Sequence, residues 1–231
     1  MKQKLLILLL VIFSLSSTAQ TILLSEDNTN EKAKEVGPNL KRHNQMFFRF
    51  GLVEGSDKPG ARIVFGKSID FAFGFRKKYK ISSLYSLGFE TEFQLRNYKF
   101  KQTADKTFPD TIINKSQSLD YAILGLGFYN RFNFDQHRGN FLGTFLDLGI
   151  VGSWHFGTHE VTENKLSNGT TETKMITDLN YIKKLSASAF ARVGFSHVSI
   201  YGSYRLTDLF KNTNKYPDIP RLVVGIELSV F

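Results

Sequence analysis

From Met46 to Phe231 the chain repeats one pattern eight times: large apolar side chains at every second position, with glycine, serine, alanine or a charged residue between them. Successive side chains of an extended strand point to opposite faces. Each run is therefore read as a strand with one apolar face and one small or charged face, and eight such runs predict an all-β architecture. The first sets Phe48, Phe50 and Leu52 against Arg49 and Gly51. The second sets Ile63, Phe65, Ile69, Phe71, Phe73 and Phe75 against Gly66, Ser68, Asp70, Ala72, Gly74 and Arg76. The third sets Leu87, Phe89, Phe93 and Leu95 against Gly88, Glu90, Glu92, Gln94 and Arg96. Further runs carry Leu124 to Phe132, Leu146 to Trp154, Leu185 to Phe195, Val198 to Leu206 and Leu222 to Val230.

The connections alternate in length. Those after the second, fourth and sixth runs are short, and those after the first, third, fifth and seventh are long and polar, which places the long segments at one end of the sheet. The longest contains Asn168-Gly169, a favourable hairpin apex between Thr-rich flanks, predicting two strands that extend beyond the main sheet.

Alternation alone does not say which face is inside. A soluble lipid-carrying barrel and a membrane barrel share the period and differ only in which face meets the exterior. The glycines and serines of the polar faces suit a crowded interior better than a solvated one. Five arginines there, Arg49, Arg96, Arg131, Arg192 and Arg205, are balanced by Asp70, Glu90, Glu92, Asp147 and Glu227. Enclosed charges require partners, and arginine pairs carboxylates bidentately, so a network filling the lumen is expected. Lipid supplies no hydrogen bonds, so a membrane sheet must close; the last strand is expected to pair with the first. Tyr98, Trp154, Tyr204 and Phe132 lie near the ends of runs, where aromatic girdles sit.

Lys2 and Lys4 precede the apolar run Leu5 to Leu15, followed by Ser17-Thr18-Ala19. This is the pattern of a secretory signal, giving a signal peptide over 1–19, a polar leader over 20–45 and a barrel over 46–231. The absence of cysteine excludes disulfides, thiolate metal sites and a lipid-modified cysteine. The formal charge of +9 is scattered, with no basic stripe, so no nucleic-acid partner is assigned.

The stretches "SIDFAFGFRKKYKISSLYSLGFETEF", "FLDLGIVGSW" and "SIYGSYRLTDLF", with terminal Phe231, carry a resemblance. From about Met46 to Phe231 the chain resembles the small outer-membrane β-barrels of Gram-negative bacteria. The likeness is greatest to the PorT-like eight-stranded group, with OmpX-like barrels as a more distant comparison. The resemblance implies an eight-stranded antiparallel up-and-down transmembrane β-barrel in the outer membrane. Its implied partners are outer-membrane lipids and lipopolysaccharide, the barrel-assembly machinery, and envelope or secretion proteins that it would serve as an export accessory. In the family's terminal signal, apolar residues share the register of the final aromatic; here Glu227 and Ser229 occupy it. A twist or bulge near the end would reconcile the two.

Three sets of residues invite a chemical reading. His155 and His159, with Glu160, suggest a metal site, but strand positions four apart lie about 13 Å from each other. His197 and Ser199 suggest a catalytic pair, at a turn where hydrogen bonding is the plainer role. Glu90 and Glu92 share a face and suggest glycosidic chemistry, although arginine partners favour salt bridges. No catalytic, cofactor-binding or metal-binding residue is assigned, and no cofactor. The leading expectation is a non-enzymatic barrel with a filled lumen, acting in surface binding, envelope stabilisation or export. Two others stay open: an enzyme acting on lipid A or phospholipid, for which His155, His159 or Ser199 would matter, and a soluble periplasmic lipid-binding barrel.

Overall fold

A computed structural model describes residues 37–54, 60–135, 142–213 and 215–230. The expected signal peptide over 1–19, most of the leader and Phe231 lie outside them. Nine strands are present among these residues: β1 Arg42–Glu54, β2 Ile69–Lys80, β3 Tyr85–Lys99, β4 Ser116–Asn133, β5 Thr144–Lys165, β6 Thr171–Thr177, β7 Leu185–Phe195, β8 Val198–Arg205 and β9 Leu222–Val230. Among the described residues there is no helix.

All strand pairings are antiparallel. Each strand other than β6 pairs with two neighbours in the ring β1-β2-β3-β4-β5-β7-β8-β9. The β1–β9 seam closes it, with Arg49 opposite Glu227, Phe50 opposite Ile226 and Gly51 opposite Gly225. The molecule is thus a closed eight-stranded barrel. β6 pairs with the outer part of β5 alone, from His159↔Thr177 to Lys165↔Thr171, and forms the predicted hairpin around Asn168-Gly169. Gly169 there has φ 83°, which glycine adopts without strain.

The apolar faces point outward. Each barrel strand exposes a large apolar side chain: Phe50, Phe71, Phe89, Leu126, Ile150, Val193, Ile200 and Ile226 in ring order. Charged residues occupy the interior, opposite to the arrangement of a soluble barrel that wraps an apolar face around its cargo. Tyr204 and Phe132 are exposed near strand ends, as expected of a girdle; Trp154 is exposed but lies at the middle of β5, and Tyr98 is buried. Its even position on β3 places it with Glu90, Glu92 and Gln94 on the lumen side.

Two boundaries and the course of β9 differ from the expectation. β1 begins at Arg42, so the leader's last residues are already strand. β2 begins at Ile69 because Gly66, at φ 77°, turns the chain. Ile63 instead bridges Phe100 outside the barrel wall and is buried there. β9 alternates without interruption through Val230, with Glu227 and Ser229 inward and Leu228 and Val230 outward. The expected twist or bulge is absent from the described part of this strand.

Candidate functional site

The lumen is filled by ion pairs contributed from around the wall. Arg131 of β4 grips Asp147 of β5 with two bonds, Nε to Oδ1 at 2.7 Å and Nη2 to Oδ2 at 2.8 Å. Arg192 of β7 donates from Nε to the same carboxylate at 2.9 Å, from Nη2 to Glu90 of β3 at 3.1 Å and from Nη1 to Glu227 of β9 at 3.1 Å. Arg76 of β2 closes the set, donating to Glu90 at 2.9 Å and Glu227 at 2.8 Å. Six strands therefore meet in one cluster of three cations and three anions. All six side chains are almost completely shielded from solvent.

A second cluster lies toward the long-loop end. Asp70 accepts from Arg96 Nε at 2.8 Å and from Gln94 Nε2 at 2.7 Å, while Arg49 Nη2 lies 3.0 Å from Glu92. The guanidinium of Arg49 also stacks on Tyr201 of β8, 4.1 Å from the ring centre. The expected five-to-five balance holds with one exchange: Arg76 belongs to the network and Arg205 does not. Arg205 turns to the β8–β9 connection, donating to Thr207 O at 2.8 Å and Ile219 O at 3.0 Å.

The lumen glycines make room for aromatic rings. Phe47, Tyr129, Phe190 and Phe145 stand directly across from Gly74, Gly88, Gly149 and Gly194 on neighbouring strands. A Cβ at Gly194 would lie 2.0 Å from the Phe145 ring, and one at Gly88 would lie 2.1 Å from that of Tyr129. The same rings lie beside lumen arginines. Arg131 sits 3.7 Å from the centre of Phe145 and Arg76 sits 4.4 Å from that of Phe47, in cation–π contact. At the short-turn end, Lys78 reaches inside to the Pro38 carbonyl and Lys80 Nζ to Asn39 Oδ1 at 2.9 Å.

At the other end the long connections pack together into an apolar cap. Ala61 and Ile63 come from the β1–β2 connection, Phe108 from β3–β4, Leu179 and Ile182 from the segment before β7, and Leu209, Phe210 and Ile219 from β8–β9. Phe108 is the hub, with ring centres of Phe210 at 4.7 Å, Phe100 at 5.2 Å and Tyr216 at 5.8 Å. Lys106, buried beside it, binds Gln102 and Asp110 at 3.1 Å. Tyr181 donates to Glu160 at 3.1 Å, and burial followed by that carboxylate raises its phenol well above the ordinary range. In sequence these connections read as polar; the scattered apolar residues in "NYI", "TDLF" and "PDIP" are the signal of the cap.

His155 and His159 do not meet. β5 carries a bulge opposite Ala122 and Ile123, leaving Phe156 as the extra residue. A bulge reverses the parity of the strand beyond it. His155, before the bulge, is buried in the lumen with Val151 and Ser153, while beyond it Thr158 and Glu160, not His159, face inward. No cluster of metal-ligand type occurs among the described residues. His197 Nδ1 lies 3.1 Å from the Ser229 carbonyl at the β7–β8 turn, and the Ser199 hydroxyl, inside the lumen, has no hydrogen-bond partner among the described residues. Glu90 and Glu92 share a face as expected and are both engaged by arginine. The unforeseen pair is His155 with Ser186 of β7: Nε2 lies 3.1 Å from the hydroxyl, and Nδ1 lies 2.9 Å from Lys183 O.

No family model and no curated protein matches the chain. Among solved structures it is similar to Ail, the attachment invasion locus protein of Yersinia pestis, determined in complex with the heparin analogue sucrose octasulfate. The identity is 12%, with 82% of this chain and 96% of that chain covered, at a TM-score of 0.33.

Proposed function

We propose that the chain is an integral outer-membrane barrel with a closed lumen, working through its long-loop end as a surface-binding protein. The observation that carries this is the belt of Phe, Leu, Ile and Val side chains on all eight barrel strands, around an interior of paired charges. Such an exterior is matched to hydrocarbon, and a ring without open edges satisfies every wall strand's backbone there. The central ion pairs and the cap leave no wide channel, so general diffusion is not its role. Its binding element is the β5–β6 hairpin: all seven residues of β6 are exposed, and its outer edge has no partner strand among the described residues. A protein that adds an extended segment to that edge fits it. The export-accessory role implied by the PorT-like resemblance is a narrower form of the same reading.

Alkaline-carbonate extraction with planar-bilayer recording tests the proposal. The chain should stay in the membrane pellet, migrate faster unheated than boiled, and show no steady conductance. Release into the supernatant or a stable open current would contradict it.

A second reading has one observation in its favour. Ser186, His155 and the Lys183 carbonyl form a nucleophile–base–orienter line of the kind that activates a serine. It would make the barrel a hydrolase of lipid acyl esters. Both side chains are largely buried beneath the cap, where bracing the segment before β7 is their simpler work. Fluorophosphonate labelling lost in Ser186→Ala would favour the enzyme; an unlabelled protein would dismiss it.

A further inference from the structure

At the rim between the apolar belt and the cap, three lysines converge on a recess of about 160 Å³ walled by Trp154 and Phe156. They are Lys183, Lys184 and Lys211; one acid, Asp178, shares the lining. None of the three lysines makes an ion pair among the described residues, unlike the arginines of the lumen. Their backbones are pinned: Lys184 O accepts from His155 N at 2.8 Å, Lys183 N donates to Leu209 O at 2.8 Å, and Lys211 N donates to Tyr181 O at 2.9 Å. The backbones that carry the three lysines are thus held in place around the recess, and their ammonium groups are donors suited to a phosphate.

Directly adjoining is an apolar outer groove of about 740 Å³, sharing Trp154 with the recess and lined by Phe93, Leu124 and Leu185. Gly152 also lines it, and a Cβ there would meet only the Leu126 carbonyl oxygen, at 3.9 Å. The β5 bulge residue Phe156 joins the two, with its ring centre 5.8 Å from Trp154 and 5.9 Å from Phe93. Cations above, aromatic rings between and a greasy trough below match one amphiphile in one orientation.

We propose that recess and groove together hold one phosphorylated lipid of the surrounding leaflet, its phosphate among Lys183, Lys184 and Lys211 and an acyl chain along Trp154, Leu124 and Leu185. This rests on the membrane reading above, and the test separates the two. The delipidated full chain, in detergent, is mixed with phosphorylated lipid A or its dephosphorylated form, and retained lipid is counted by native mass spectrometry. The wild-type chain should keep one phosphorylated lipid and discriminate against the dephosphorylated one. The triple change K183Q/K184Q/K211Q should lower retention at least about tenfold, given the strength of lysine attraction to anionic lipid. A control triple, K41Q/K67Q/K101Q, should leave it unchanged, and excess inorganic phosphate should not displace the lipid. Equal retention of both lipids, an equal loss in the control, or displacement by inorganic phosphate would each overturn the site. Carbonate extraction of the same variants reports on the membrane reading: a chain that stays in the pellet but does not discriminate sinks only the lipid site.

Discussion

Arg192 and Glu90, 102 positions apart in the chain, meet at 3.1 Å across the lumen. β4 and β5 lie between their strands in the wall, so the contact exists only once the barrel has closed. Arg192 also touches Asp147 and Glu227, which makes it the centre of the charge network.

Replacing Arg192 by Met would leave three buried carboxylates short of a cation. Breaking a buried ion pair from one side costs about 3–5 kcal/mol, so Arg192→Met should lower the urea midpoint of the reconstituted barrel sharply. Arg192→Lys should also lose stability, because one ammonium cannot replace a planar fork that reaches three acids. Unfolding followed by gel mobility measures both.

Gly194→Val would press a side chain into the Phe145 ring, which in turn supports Arg131. Overpacking of this kind costs about 1–3 kcal/mol. The double change Gly194→Val with Phe145→Ala should recover part of the packing loss but not the stacking on Arg131. A double-mutant cycle of unfolding free energies would display that coupling.

Phe108→Ala should loosen the cap and spare the barrel. Removing a buried phenyl ring costs about 3–5 kcal/mol, and here the loss falls on connections outside the wall. The expected outcome is faster proteolysis within the long connections, with unchanged gel mobility of the folded form. Equal protection of wild type and variant would refute Phe108 as the hub.

The cap should also weaken in alkali. The Tyr181 phenol is raised above its ordinary value near 10, so its proton is held more tightly folded than unfolded. Its contribution is complete below that ordinary value and is lost as pH rises toward the folded one. Tyr181→Phe should therefore flatten the alkaline decline in protease protection of the cap, while leaving protection near neutrality less affected.

The wall was largely legible in the sequence because a half-buried strand writes its orientation at every second residue. Phe71, Phe73 and Phe75 against Asp70, Ala72 and Gly74 leave one choice of face. Legibility failed where that contrast faded. Ser116 to Ala122 and Phe156 to Lys165 extend β4 and β5 beyond the apolar belt, where both faces mix polar and apolar residues. The Phe156 bulge cannot be seen in alternation, since it needs the partner strand's count. Arg76 lay on the correct face, yet its place in the network came only from the closure that brought Glu227 beside it. The cap was hidden because Phe108, Phe210 and Ile219 are isolated in sequence and gather only in space.

The proposed membrane arrangement sets the outer apolar faces against lipid and encloses the charges. The chain has a single tryptophan, Trp154, exposed on the outer wall at the loop-side rim. Its fluorescence in vesicles containing brominated lipids tests that arrangement without altering the protein. Strong quenching by bromines placed near the headgroups, weaker quenching by bromines deep in the bilayer, and little effect of aqueous iodide are predicted. Full iodide quenching with no response to any brominated lipid would contradict the account.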